Sequence, residues 1–240
     1  MNTIRAALDQ WQAALCKEVT VGGVFARDPE VHRWKAPLRS LILREATSWR
    51  AHDLLQQAVF LSEGNHLLGA RILVRSAIET LATLAYLNQI TRAVVSEDIS
   101  YKDFSDKTVR LLLGSKNKST SAESINIITV LEKVEKRIPG LTAVYADLSE
   151  SAHPNYDGTS KGYGSIDHKE FTTHFSNKWA HEYAPGFESF VRATAHLYQV
   201  EYDEEWTDAW EALEAWMRAN PDKLPQEPRV DALYLPIDRP

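Results

Sequence analysis

Two arginines and a glutamate follow one another at four-residue steps within an otherwise apolar stretch. Arg71, Arg75 and Glu79 lie in segment 65–90, most of whose other side chains are aliphatic. Residues four apart share one face of an α-helix, so the pattern predicts a polar stripe that continues towards Tyr86. Because burying an unpaired charge is costly, these side chains must pair, meet water or border a cleft. The stripe therefore indicates either an Arg75–Glu79 pair that fixes helix packing or one wall of a site.

A second group that could do chemistry is His153, which precedes Pro154 and is followed by Asn155 and Tyr156. A proline disfavours helical geometry in the residue before it, so His153 is predicted at the end of a helix. Imidazole titrates near neutral pH, which suits general acid–base catalysis, and the two polar neighbours could orient the ring or bind a substrate. The alternative is a histidine stabilised at a helix C-terminus by the helix dipole.

The remaining reactive side chains give weaker signals. His168, His174 and His181 could approach His153 and bind zinc, but their spacing matches no strong metal motif, and exposed loop histidines are the simpler interpretation. Cys16 is the only cysteine and is interpreted as a small core residue rather than a nucleophile. The common phosphate-loop, dinucleotide, serine-hydrolase and zinc-protease motifs are missing from the sequence. We therefore predict neither a metal site nor a cofactor.

Charge limits the classes of partner. The net charge of −6 over 240 residues opposes a broad nucleic-acid surface, because such surfaces neutralise phosphates with lysine and arginine. Residues 32–50 are basic, however, and residues 201–214 are acidic. These runs indicate either a local basic groove or two solvated helix faces of opposite sign.

Composition indicates the compartment and the fold class. Hydrophobic residues make up 44%, charged residues 25%, and ten glycines are few for a turn-rich β protein. The sequence contains no apolar run long enough to span a membrane, and Asp9 interrupts the amphipathic N-terminal segment, unlike a signal peptide. With a single cysteine, a cytoplasmic location away from the membrane follows as an expectation.

Hydrophobic spacing predicts an all-α multi-helix bundle with one small β-hairpin or irregular loop near 156–176. The first helix should end before Gly22-Gly23, and Ser121 should cap a later one. Residues 1–220 are predicted to form a single domain, followed by an extended proline-rich tail at 221–240. The predicted helices cover 2–19, 38–62, 65–90, 103–114, 121–137, 140–152, 186–203 and a last segment from Trp206 to Met217.

Two segments together resemble the HEPN-like helical superfamily, particularly its bacterial members. They are GNHLLGARILVRSAIETLATLAYL at 64–87 and YADLSESAHPN at 145–155. The likeness rests on an R-x-x-x-E pattern in an apolar helix and on a helix that ends in His-Pro, and it covers about residues 38–200.

The resemblance implies a helical bundle that commonly forms a homodimer. In active members an RNA-cleaving site lies at the dimer cleft and serves toxin–antitoxin or antiphage defence. Such nucleases act without metal: the 2′-hydroxyl attacks the adjacent phosphate, a histidine handles the proton and an arginine offsets charge. Here His153, Arg75 and Glu79 would be catalytic, and Arg71, Asn155 and Tyr156 would bind the substrate.

One departure from the family pattern matters. The family places an arginine four to six intervening residues before the histidine, whereas this chain has Ala146, Asp147 and Leu148 there. We expect Arg75 or Arg71 to supply the missing cation. The alternative function is a non-catalytic helical interaction or ligand-binding module, antitoxin-like or regulatory, whose tryptophan-rich C-terminal helix contacts a protein partner.

Overall fold

A computed structural model describes residues 2–224, and it confirms the all-α bundle with one small hairpin. The predicted tail lies outside these residues from position 225 onward. The α-helices are α1 Asn2–Ala14, α2 Val21–Arg27, α3 Lys35–Glu63, α4 Leu67–Val95, α5 Tyr101–Leu113, α6 Ile127–Val134, α7 Leu141–Ala152, α8 Trp179–Tyr183, α9 Phe187–Gln199 and α10 Trp206–Ala219. Shorter elements are the strands β1 Gly164–Asp167 and β2 Thr172–Phe175, π-helical stretches at Tyr156–Lys161 and Val200–Glu205, and a 3₁₀ turn at Pro221–Lys223.

The apolar segment predicted to be central forms α4, a helix of 29 residues. It packs against α3, α6, α7, α9 and α10. Side chains on several of its faces, among them Val74, Leu81 and Leu87, are completely buried. A helix that is apolar nearly all round must be surrounded by others, which is the position that α4 occupies.

The start of the chain differs from the prediction. α1 ends at Ala14, and Gly22-Gly23 lies within the first turn of α2 instead of stopping a helix. The Thr20 hydroxyl caps α2 by accepting a hydrogen bond of 3.3 Å from the Gly23 amide. A side chain at Gly23 would come within 2.7 Å of that hydroxyl oxygen, so the small residue permits the cap.

The helix predicted to follow Ser121 begins six residues later, at Ile127. Asn126 provides the cap, with its side-chain oxygen 2.9 Å from the Ile128 amide. The preceding loop folds back on itself so tightly that a Cβ on Gly114 would lie 2.5 Å from the Cα of Ser124. Closing this loop keeps Ser121 out of the helix.

One continuous helical segment is formed by α9, the second π-helical stretch and α10, whereas the sequence predicts two separate helices. The backbone at both junctions stays right-handed helical, with φ −62° and ψ −42° at Gln199 and φ −67° and ψ −39° at Glu205. The extra residue of a π-turn shifts the helical phase, and Glu201 lies buried within this stretch.

The region predicted as a hairpin or loop near 156–176 contains both kinds of structure. A π-helical turn follows His153, and an antiparallel hairpin then pairs β1 with β2, placing Gly164 opposite Phe175 and Ile166 opposite Thr173. No helix within residues 2–224 is both long and apolar enough to cross a membrane.

Candidate functional site

Tyr145 and Ser149 lie one turn apart on the same face of α7, and His153, the residue that ends this helix, follows after a further four residues. Glu135 fixes the start of α7: its carboxylate accepts hydrogen bonds from the amides of Gly140, at 2.7 Å, and Thr142, at 2.8 Å. These bonds join the end of α6 to the first turn of α7.

Arg75 of α4 joins that face through a compact network. Its Nε donates to the Ser149 hydroxyl at 2.8 Å, and its Nη2 donates to the Tyr145 hydroxyl at 2.6 Å. The same Nη2 lies 3.3 Å from a Glu79 carboxylate oxygen, to which the Tyr145 hydroxyl donates at 3.0 Å. The Arg75–Glu79 pair considered from the sequence therefore exists, and Tyr145 bridges it.

The network borders an open groove of about 490 Å³ between α4, α6 and α7. Arg75, Tyr145, Ser149 and His153 all line it. His153 is exposed, and its extended backbone, with φ −100° and ψ 144°, ends α7. The structure thus brings Arg75 and His153 to one groove, with Glu79 linked to it through Tyr145.

Arg71, one turn before Arg75, has a different environment. It is 3% exposed and does not line the groove. Its Nε donates to Ser151 at 2.7 Å, its Nη2 donates to the Asp147 carboxylate at 2.7 Å, and its guanidinium lies 4.2 Å from the ring centre of Tyr183. These contacts hold α7 and α8 to α4.

The other two predicted binding residues lie just after α7. The Asn155 side-chain oxygen accepts a 3.0 Å hydrogen bond from the Gly158 amide, and its amide donates to the Glu150 carboxylate. Tyr156 is 71% exposed. Asn155 thus shapes the turn that follows His153, and the Tyr156 ring is open to solvent.

The histidines considered as zinc ligands, His168, His174 and His181, are exposed. Across residues 2–224 no three histidine, cysteine, aspartate or glutamate side chains are placed to hold a metal ion together.

The basic run at 32–50 matches neither sequence-based interpretation as a whole. Arg39 is buried and donates to Ser105 and Thr108, and Arg44 lies 3.6 Å from the ring centre of Tyr202. In the acidic run, Glu214 is 4% exposed, and its carboxylate forms an ion pair with Nε of Arg27 at 2.9 Å. Several of these charges therefore link helices in the interior.

Two members of the site, Tyr145 and Ser149, were missed from the sequence. The signal that could have found them is the Y-x₃-S-x₃-H spacing that ends at His153, which repeats the four-residue step of Arg71, Arg75 and Glu79 on another helix. When two helices with such stripes pack together, the polar side chains of one stripe can form hydrogen bonds with those of the other.

The groove combines one fixed cation with one exposed imidazole. The other charged side chains that line it, Glu132 and Glu150, are acidic, so among the described residues Arg75 is the only formal positive charge of the groove. His153 can exchange a proton with a bound molecule, and Arg75 can face an anion while Tyr145, Ser149 and Glu79 hold its orientation.

Comparisons with protein-family models, with curated proteins and with solved structures each gave no match for this chain.

Proposed function

We propose that this chain is a HEPN-like effector that cleaves RNA without a metal ion, acting in toxin–antitoxin or antiphage defence. The observation that supports this proposal best is that Arg75 and His153 line one open groove. This chain lacks the arginine that the family pattern places at 146–148, and in this proposal Arg75 supplies a cation from the neighbouring helix instead.

In the proposed reaction, His153 accepts the proton of an RNA 2′-hydroxyl while that oxygen attacks the adjacent phosphorus. The bond from phosphorus to the 5′-oxygen breaks, and the leaving oxygen takes a proton from water. The products are a 2′,3′-cyclic phosphate and a 5′-hydroxyl. Arg75 offsets the charge that develops on the phosphate oxygens, and Glu79 and Tyr145 keep its guanidinium in place.

A second candidate, a non-catalytic interaction or ligand-binding module, is favoured by a different observation. The guanidinium of Arg75 already contacts Ser149, Tyr145 and Glu79, and the carboxylates of Glu132 and Glu150 line the same groove. Negative charge beside a phosphate opposes binding, so this arrangement also suits a structural network that holds α4 to α7.

End-group analysis of RNA incubated with the purified chain in EDTA separates the two candidates. Cleavage that persists in EDTA and leaves 2′,3′-cyclic phosphate ends is the result expected of the nuclease. Intact RNA at all protein concentrations, together with unchanged toxicity of an Arg75→Ala/His153→Ala double variant in cells, would favour the interaction module.

A further inference from the structure

A pocket of about 390 Å³ opens where the end of α4 meets the connection between α6 and α7. Three basic residues line it: Arg92 of α4, and Lys136 and Arg137 of the connection. Among the described residues, Asp98 is the only acid in the lining. The whole chain has a net charge of −6, so three cations around one concavity locally reverse its sign.

The second π-helical stretch holds the two arginines side by side. One carboxylate oxygen of Glu205 lies 2.5 Å from Nη2 of Arg92 and 2.8 Å from Nη2 of Arg137. Nε of Arg137 also contacts the buried carboxylate of Glu201 at 2.5 Å. Neither glutamate lines the pocket. The two carboxylates therefore fix the guanidinium groups, which would lose little freedom on binding an anion.

Several donors of the three basic side chains remain without a partner. Within residues 2–224, Nη1 of Arg92 and Nη1 of Arg137 form no hydrogen bond. Lys136 is exposed and forms neither a hydrogen bond nor an ion pair with any other described residue. Because Glu201 and Glu205 are bonded to the arginines, Lys136 is the cation of the pocket whose charge no bonded carboxylate offsets.

The lining of the pocket restricts the kind of ligand. Of the described residues that line it, only Ala93 is apolar, and the polar Gln89 and Ser96 complete the wall. An aromatic ring or an acyl chain would therefore find little surface to pack against. Small-molecule sites usually have volumes of about 300–1,000 Å³, so this pocket suits a compact ligand. Guanidinium and ammonium groups are the side-chain donors that proteins commonly use to bind phosphate.

We propose that this pocket binds a compact phosphate compound, a phosphate monoester or a pyrophosphate, through Arg92, Lys136 and Arg137. A terminal phosphate presents three oxygens, one for each basic side chain, whereas a carboxylate presents two. Asp98, which accepts a 2.6 Å hydrogen bond from the Ser96 hydroxyl, opposes the ligand by its charge. The pocket shares no lining residue with the open groove between α4, α6 and α7, so the inference does not depend on RNA cleavage.

Calorimetric titration of the full chain with inorganic phosphate and with pyrophosphate, at constant ionic strength and without metal ions, tests this site. We expect saturable binding that weakens about tenfold in Lys136→Gln, because a charge-assisted hydrogen bond is lost. Lys133→Gln, an exposed lysine of α6 outside the lining, is the matched control and should bind as the unmodified chain does. Asp98→Asn keeps an oxygen for Ser96 but removes the opposing charge, so it should bind about threefold more tightly.

Equal affinities of Lys136→Gln and Lys133→Gln, or titrations without saturable binding, would overturn the proposal. Arg92 and Arg137 are left unchanged because their loss would disturb the contacts with Glu201 and Glu205 as well as the pocket.

Melting curves give a second readout, because a ligand that binds only the folded chain raises its melting temperature. Pyrophosphate should raise the melting temperature of the unmodified chain and of Lys133→Gln, and raise that of Lys136→Gln much less. A single-stranded RNA with a 5′-hydroxyl end serves as the comparison. If that RNA binds through Lys136 while phosphate and pyrophosphate do not, the basic residues form part of a nucleic-acid surface and the proposed pocket is wrong.

Discussion

The central helix α4 contributes to two polar clusters that differ in whether the central carboxylate is buried. The groove cluster comprises Arg75, Glu79, Tyr145, Ser149 and His153. The π cluster lies towards the other end of α4 and comprises Asn88, Arg92, Arg137, Glu201 and Glu205. The groove cluster pairs one arginine with one glutamate on α4 and reaches α7 through Tyr145 and Ser149, whereas the π cluster joins two arginines to two glutamates of the second π-helical stretch.

The π cluster has a buried carboxylate at its centre, although the side chains of Arg92 and Arg137 at its margin are 38% and 30% exposed. One carboxylate oxygen of Glu201 accepts a hydrogen bond from Arg137 at 2.5 Å, and the other accepts one from Asn88 at 2.8 Å. Glu201 is 2% exposed. In the groove cluster, by contrast, the side chains of Arg75 and Glu79 each remain 25% exposed, and the stripe ends in the exposed His153. Charge on an apolar helix therefore does not by itself indicate a site; an exposed reactive partner beside it does.

The largest expected effect on stability is in the π cluster. Glu201→Ala removes the carboxylate that accepts from Arg137 and Asn88, although Asn88 keeps its bond to the carbonyl of residue 201 and Arg137 keeps its ion pair with Glu205. Because two charge-assisted hydrogen bonds are lost, we expect the free energy of unfolding to fall by about 3 kcal/mol. Urea denaturation measures the loss. Glu204→Ala, an exposed acid in the same π-helical stretch, is the control and should change little. A small loss of stability in Glu201→Ala would mean that the π cluster does not contribute more to stability than the groove cluster.

Arg75→Ala should destabilise less, by about 1–2 kcal/mol, because its partners Glu79 and Ser149 can reach water in the open groove. RNA cleavage should be lost in the same variant. Comparing its urea unfolding curve with that of Glu201→Ala tests the difference between the two clusters. If Arg75→Ala lowers the free energy of unfolding more than Glu201→Ala does, the groove cluster serves mainly to stabilise the fold.

Tyr145→Phe removes only the hydroxyl between Arg75 and Glu79. We expect a loss of about 1 kcal/mol, the usual contribution of a hydrogen bond. Tyr156→Phe, at a 71% exposed ring, is the matched control. If both variants unfold at the same urea concentration as the unmodified chain, the bridging hydroxyl contributes nothing to stability.

The pH dependence of stability should report on Glu135. Hydrogen bonds from the backbone amides of Thr142 and Gly140 lower the pKa of this carboxyl group below its ordinary value. Its contribution is therefore present above the unfolded pKa of about 4.3 and disappears as the pH falls through the lower folded value. Glu135→Gln should lose stability at pH 7 and match the unmodified chain near pH 2. An equal difference at both pH values would contradict this role, and Glu132→Gln, in the last turn of the preceding helix α6, is the control.

Sequence patterns predicted the helical content, the central position of α4 and the joint location of Arg75 and His153. They failed where local hydrogen bonds decide the helix boundaries. Thr20 caps a helix that begins with a glycine pair, and Asn126 caps the helix that was expected to begin at Ser121. They also could not separate Arg71 from Arg75. Both belong to one stripe, and only the packing of α7 and α8 shows that Arg71 is enclosed.

The most direct test of a catalytic groove compares His153→Ala with His181→Ala, whose side chain is 88% exposed and lies outside the groove lining. Both substitutions remove an exposed imidazole, so the melting temperature should change in neither. We predict that RNA cleavage falls by about 100-fold or more in His153→Ala, as expected when an acid–base group is removed, and stays unchanged in His181→Ala. Equal cleavage by the two variants would contradict a catalytic groove.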